Sequence, residues 1–301
     1  MSFKKTLAFI FLVVNFSVSL GAETAPLKVV TSLPALAWVV ERVGGDEVVV
    51  ESLLRGSEDP HFVDAKPSFV KKAADADMLC FVGLSLEVGW LPKVLERSAN
   101  PKIQESGSGY CDLGQSVVVL EKLAEPLDRS HGHIHSDGNP HWYLSLQSLS
   151  EASEAVLGFL QRLRPESSED FKKRQLALKN EIQKTLKDSQ SKIQNSVRLL
   201  EYHKEFAYLL RDLGVNSKGS VEEKPGVPPS AAAIARVRRK ILDEQIDLIL
   251  ATEAQSEALL KKVSSGTPAQ VLQVEPMPSL KLNPLAYHEK VLNSLLSVKQ
   301  N

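Results

Sequence analysis

Residues 166–193 read ESSEDFKKRQLALKNEIQKTLKDSQSKI, with no glycine or proline to interrupt them. Lys, Glu, Gln and Leu dominate, all good helix formers. Phe171, Leu178, Ile182, Leu186 and Ile193 recur at spacings of seven, four, four and seven, which makes a narrow apolar stripe on one long, otherwise polar helix. At 1.5 Å per residue such a helix runs about 42 Å, longer than a small domain is wide. The stripe is too short and irregular to favour a coiled coil. The segment reads as a rigid connector with a folded unit on either side.

Those units show the same alternation. Before the connector, Leu27 to Thr31 is strand-like, Leu36 to Val43 is amphipathic and ends at Gly44-Gly45, and Val48-Val49-Val50 opens a second strand. Pro67 to Ala76 reads as a helix and Met78 to Val82 as a buried parallel strand. After the connector, Arg198 to Tyr202 is a short strand and Lys204 to Leu213 a helix. Pro228-Pro229-Ser230 caps a helix with Ile234, Val237 and Ile241 on one face. Asp247 to Ala251 and Gln270 to Val274 are strands, and Pro284 to Lys299 closes the chain as a helix. The expectation is an α/β protein of two lobes, each a small, mainly parallel sheet flanked by helices. The N-terminal lobe covers residues 23–165, the backbone helix 166–196 and the C-terminal lobe 197–301. Ligands of such sheets bind beyond the carboxyl ends of the strands.

The first 22 residues stand outside both lobes. Lys4 and Lys5 precede an apolar run from Leu7 to Leu20 that ends in Ser19-Leu20-Gly21-Ala22. This is the pattern of a secretory signal peptide, and the run is short for a membrane span. No cysteine lies near the cleavage region, so a lipid anchor is not expected, and the mature protein is read as periplasmic. Cleavage after Ala22 removes two lysines and no acid, making the formal charge of −1 more negative. That charge gives no electrostatic footprint for nucleic acid. Cys80 and Cys111 are the only cysteines. Either a disulfide or two buried thiols fits them, but two cysteines make no thiolate cage, so a metal site here must use nitrogen and oxygen.

Candidate ligands stand just after the strands. His61 follows the second strand in Glu58-Asp59-Pro60-His61, His141 lies in Gly138-Asn139-Pro140-His141-Trp142, and His203 follows Tyr202 directly. A single histidine in such a place is more often a surface or capping residue. Two of these, however, follow an acid or amide and a proline, which fix a turn and limit how the ring approaches. A second group, His131-Gly132-His133-Ile134-His135, sits in a polar loop (residues 128–138) with Asp128 and Asp137. It reads either as an auxiliary zinc-gathering loop or as a loop with incidental histidines. His288 is read as a surface or packing residue, Glu253 as a residue lining the cleft, and Arg236, Arg238, Arg239 and Lys240 as a solvated basic face. No His-Glu-x-x-His helix, nucleophile elbow or Gly-rich phosphate loop occurs.

Several motifs in order carry a resemblance through essentially the whole mature chain. They are Asp59-Pro60-His61 with Lys66-Pro67-Ser68, Val82-Gly83-Leu84-Ser85-Leu86-Glu87 with Trp90-Leu91, and Asn139-Pro140-His141-Trp142. Tyr202-His203 with Phe206-Ala207-Tyr208 follows, then Lys224-Pro225-Gly226-Val227-Pro228-Pro229-Ser230. The chain resembles the solute-binding proteins of zinc and manganese ABC importers, a group that also includes metal-binding adhesin lipoproteins. The resemblance implies one metal ion held in the cleft between the lobes. By position, His61 and His141 match the ligands of the N-terminal lobe and His203 the first of the C-terminal lobe. The fourth, an acid after the last strand, falls nearest Glu275, where the commoner pattern has Asp before a small polar residue; Asp59 and a water are the alternatives.

Three imidazoles with at most one carboxylate suit zinc, whereas two of each suit manganese better. Position 203, where manganese-type members tend to carry Glu, is therefore the discriminating one. A closed site of four ligands favours holding an ion over hydrolysis, which keeps a position open for water. The expected function is a monomeric Zn2+ carrier, not an enzyme, that docks on the permease of an ABC importer. A Mn2+ or Fe2+ carrier is the alternative, and an adhesin or a metallohydrolase is less favoured.

Overall fold

A computed structural model describes residues 25–122, 137–193, 197–223 and 227–298. The signal segment and the histidines at 131, 133 and 135 lie outside the described residues.

Each lobe is a four-stranded parallel sheet. In the first, β1 (Leu27–Thr31) lies between β2 (Val48–Ser52) and β3 (Met78–Phe81), and β4 (Tyr110–Asp112) adds beyond β3. In the second, β5 (Leu199–Glu201) lies between β6 (Ser217–Ser220) and β7 (Leu248–Thr252), with β8 (Gln270–Val274) beyond. The order is the same in both halves, so the carboxyl ends of equivalent strands carry equivalent loops.

Helices α1 (Pro34–Gly44), α2 (Pro67–Ala74) and α3 (Leu91–Ser98) connect the first sheet. Each has proline in its first turn, where the missing N–H costs nothing. Gly45 ends α1 at φ +58, a conformation that disfavours side chains. Helix α4 (Leu146–Leu163) then leads to the long helix α5 (Ser168–Lys192). The C-terminal lobe adds α6 (Ala207–Leu213), α7 (Ala231–Asp243), α8 (Glu257–Ser264) and α9 (Pro284–Leu296). Ser230 caps α7 as expected, its hydroxyl accepting from the Ala233 N–H, and Asn283 caps α9 through the Ala286 N–H.

The stripe on α5 is buried as its spacing predicts: Phe171, Leu178, Ile182 and Leu186 are core residues, and Ile193 packs against the core from its edge. Gln175 and Ser189 share that face, and each meets a polar partner: Ser153 on α4 at 3.1 Å and His288 on α9 at 3.0 Å. Helix α5 is thus more than a strut. It packs on α1 and α4 from one lobe and on α6 and α9 from the other. Leu199, Leu248 and Leu250 on one face of the second sheet join the core that runs through α5 into the first lobe. Their neighbours Leu200, Ile249 and Ala251 point to the opposite face and a separate cluster, as the two-residue period of a strand requires.

Cys80 and Cys111 are buried free thiols, partners in register on β3 and β4. Burial, and then the neighbouring Cys80 thiol, push Cys111 well above the ordinary thiol range. Among the described residues, no helix is long and apolar enough to cross a membrane.

Candidate metal centre

A cleft of about 210 Å3 opens where the carboxyl ends of the two sheets face each other. Its walls come from the loops after β2, β5, β6, β7 and β8 and from the short 3-10 helix His141–Leu144. His61, His141 and His203 all line it. Ring centroids are 5.2 Å apart for His61 and His141, 5.3 Å for His141 and His203, and 6.3 Å for His61 and His203. Imidazole nitrogens about 2.0–2.1 Å from one tetrahedral ion put ring centroids roughly 5 Å apart. Two pairs already have that spacing, and the third is wider by about 1 Å on the same geometry. Among the described residues no group of three or more His, Cys, Asp or Glu meets metal-holding geometry as it stands. Closing on an ion calls for a small approach of His61 and His203, which belong to different lobes.

Each ring is held from behind. Nδ1 of His61 stands 2.9 Å from Oδ1 of Asp59, and that of His141 stands 2.8 Å from Oδ1 of Asn139. The same two oxygens also accept the backbone N–H groups of His61 and His141, both at 3.0 Å. The Asp-Pro-His and Asn-Pro-His triplets are therefore one device used twice: an oxygen two residues ahead fixes both the turn and the ring. His203 uses another route, its Nδ1 lying 2.9 Å from Oε2 of Glu222, just beyond β6. A carboxylate or amide oxygen can only accept, so each contact puts the ring proton on Nδ1 and the lone pair on Nε2. Metal-ligating histidines are oriented in this way.

The loops behind the rings are buttressed in turn. Trp90 donates its indole N–H to the Pro60 carbonyl at 2.9 Å, steadying the turn that carries His61. Trp142, next to His141, donates to the Val82 carbonyl at 3.1 Å. Val82 opens a tight loop in which Gly83, Leu84 and Ser85 all have positive φ. A side chain at Gly83 would meet an Asp112 oxygen at 2.1 Å. The buried Glu87 carboxylate accepts the Val82 and Gly83 N–H groups at 2.8 and 3.1 Å. Burial lifts Glu87 to about 7 even so. In the other lobe Glu201 accepts the Phe206 N–H at 2.9 Å across the His203 loop and is likewise lifted by burial to about 7.

Electrostatics around the rings are acidic. Burial works against a charged His203, but the Glu222 hydrogen bond and the nearby Glu205 and Asp59 outweigh it and raise its pKa. Burial would raise Asp59, yet its contacts with His61 leave it lowered. Glu205, wholly buried beside His203, is pushed by burial up to about 8.

The structure brings His61, His141 and His203 together and does not bring Glu275 to them. Glu275 is absent from the cleft lining, its carboxylate pairs with Lys290, and its carbonyl accepts from Tyr287 Oη. Pro276 and Met277 meet the cleft instead. Asp59 lines the cleft, in contact with His61. Glu253 is exposed outside it, where Thr252, Ala254 and Gln255 line the wall. His288 is fully buried, a packing residue. The basic run on α7 engages neighbours at Arg236 with Glu223, Arg238 with the Lys262 carbonyl and Lys240 with Glu244. Sequence reasoning missed Glu222 and Glu205. Glu205 stands two residues after His203 and was legible there as a nearby acid.

The profile of the family described as "ZnuA: Zinc-uptake complex component A periplasmic" matches residues 29–295. The manganese ABC transporter substrate-binding lipoprotein PsaA of Streptococcus mitis is 23% identical over 258 residues, covering 82% of this chain and 79% of PsaA. The iron ABC transporter substrate-binding lipoprotein MtsA of Streptococcus pyogenes serotype M1 is 25% identical over 238 residues, covering 75% and 73%. In fold, the chain is similar to the periplasmic zinc-binding protein TroA from Treponema pallidum, with a TM-score of 0.73 at 20% identity over 91% of this chain and 99% of TroA. A match that runs from β1 to the end of α9 takes in both sheets and the helix between them, and the chain belongs to the ZnuA family, the metal-binding substrate-binding proteins of ABC importers.

Proposed function

We propose that this member carries zinc, binding Zn2+ as cargo through Nε2 of His61, His141 and His203 and delivering it to an importer permease from outside the cytoplasm. The observation that supports this most is the oxygen acceptor behind every ring, at 2.8–2.9 Å. Those acceptors favour a lone pair on Nε2 of each ring, and all three rings line one cleft. Relatives named for manganese and iron make the metal a choice within the family, and three imidazoles tip the donor set toward the softer ion. Calorimetric titration of chelator-stripped protein should show tight zinc binding and much weaker manganese binding, with His203→Ala abolishing the former. Parental zinc affinity in His203→Ala would sink this reading. Metal analysis of protein purified without added metal separates zinc from manganese and iron.

The loop with His131, His133 and His135 belongs to the proposal as an auxiliary, weaker zinc-gathering segment. Removing residues 128–138 should delete weak zinc equivalents from the titration and leave the tight one. Loss of the tight one instead would assign that loop to the principal site.

A further inference from the structure

Three imidazoles leave a tetrahedral ion one ligand short. We propose that the carboxylate of Glu205 fills that place, a step that rests on the cleft being the metal site. Glu205 lines the same cleft as the three rings. It is 9% exposed, and its Oε1 is buried with no hydrogen-bond partner. A buried oxygen without a donor is costly to carry as a carboxylate unless a cation completes its surroundings; without one the group keeps its proton, which an arriving ion displaces. Among the described residues, no lysine or arginine lines the cleft to do so.

The other acids at hand are engaged. Oδ1 of Asp59 holds His61 twice, Oε2 of Glu222 holds His203, and Oε2 of Glu58 accepts the N–H groups of Arg55, Gly56 and Ser57. Glu275 is off the cleft and paired with Lys290. Glu205 is also anchored: its N–H donates to the His203 carbonyl at 2.8 Å, closing a tight turn between the two residues. One turn of the C-terminal lobe thereby supplies two adjacent ligands, and the loop after β8 is released from ligation. The completed set, three imidazoles and one carboxylate, is one that zinc accepts at four-coordination.

The test is a zinc titration of Glu205→Gln and Glu205→Ala beside His203→Ala, together with a crystal structure of the zinc-loaded parent. Losing even a residue that only orients a ligand costs 10–100-fold in affinity, so both Glu205 variants should lose at least about tenfold. In the crystal, a Glu205 oxygen should lie about 2.0–2.2 Å from the zinc. If His203→Ala loses zinc while the Glu205 variants bind as the parent does, the Glu205 assignment fails and the carrier reading stands. If His203→Ala also binds as the parent does, the site itself is misplaced. Water, Asp59 or Glu275 in the fourth position of the crystal structure overturns the proposal whatever the variants do.

Discussion

Oδ1 of Asn139 lies 2.8 Å from Nδ1 of His141, while Nδ2 of the same amide donates to the Lys204 carbonyl in the other lobe at 2.8 Å. The orientation of the amide is thus set from both ends. With Nδ2 donating to Lys204 and to Glu121 at 3.1 Å, Oδ1 must be the end that meets His141. One side chain therefore fixes the ring and joins the lobes beside it. Tyr208 adds to the seam, donating to the Asn139 carbonyl at 2.7 Å and accepting the Leu120 N–H at 2.9 Å.

Asn139→Ala should accordingly weaken zinc binding by about 10–100-fold, the range for losing a group that orients a ligating histidine. The loss should exceed that of Asn139→Asp, which keeps the acceptor but sets an acid against the Lys204 carbonyl and Glu121. Calorimetry on the two variants checks the order. Equal losses would mean that the inter-lobe donor, not the acceptor behind His141, matters most.

Zinc binding should be lost as pH falls, and the sign follows from His203. Its Nε2 must be unprotonated to hold the ion, and the acids around it raise its pKa above the usual 6.5. Affinity should therefore begin to fall while an ordinary histidine would still be neutral, and Glu205, raised by burial to about 8 and also bound to lose its proton on ligating, moves the fall in the same direction. Glu222→Gln removes the carboxylate that holds the proton on His203. The fall should then start at lower pH, although the affinity at high pH drops by about tenfold with the weaker acceptor. Titrations from pH 5.5 to 8.5 read both effects, and an unmoved onset in Glu222→Gln would show that another group sets the profile.

Much of this was legible in the sequence because it is local. The α5 stripe, the strand ends and the two Pro-His turns are all encoded within a few residues of where they act. Strand β6 is different: Ser217-Lys218-Gly219-Ser220 holds no large apolar side chain, and only pairing with β5 makes it a strand. Glu222 reaches His203 because of that pairing, so its role was hidden with the strand. Helix α4 was hidden for another reason. Ser148, Ala152 and Ser153 sit on its buried face, and such small residues blur the apolar period while letting α5 approach. At Glu275, the acid expected as a ligand, the carboxylate pairs with Lys290 on α9 and is absent from the cleft lining, a contact between separate elements that the local sequence does not show.

Trp90 gives a test of the buttress behind His61. Trp90→Phe keeps most of the buried ring and removes only the indole N–H that the Pro60 carbonyl accepts. Leaving a buried carbonyl unpaired costs about 1–3 kcal/mol. The metal-free variant should lose that much stability in urea unfolding, and zinc affinity should fall as the His61 turn loosens. A stability loss with unchanged affinity would show that the turn keeps its shape without the tryptophan.

The second pH-dependent prediction concerns stability and lies far from the cleft. His288 is fully buried between α9 and α5, its Nε2 3.0 Å from Ser189 Oγ and its Nδ1 without a partner. Burial pushes its pKa down to about 4. Between about 6.5 and 4 the unfolded chain binds a proton at this residue that the folded chain refuses, so the contribution of this residue to stability falls as pH falls through that window. The contribution is on the order of 3 kcal/mol when the window is fully crossed. The measurement needs metal-free protein, because loss of zinc at low pH would destabilise the fold by itself. Urea unfolding at pH 7 and pH 4.5 should show the parent losing stability relative to His288→Gln, which keeps a partner for Ser189 and carries no titrating ring; the raised Glu87 and Glu201 act in the opposite direction in both proteins and cancel in the comparison. The same pH dependence in the two proteins would show that His288 carries no such linkage in the folded chain.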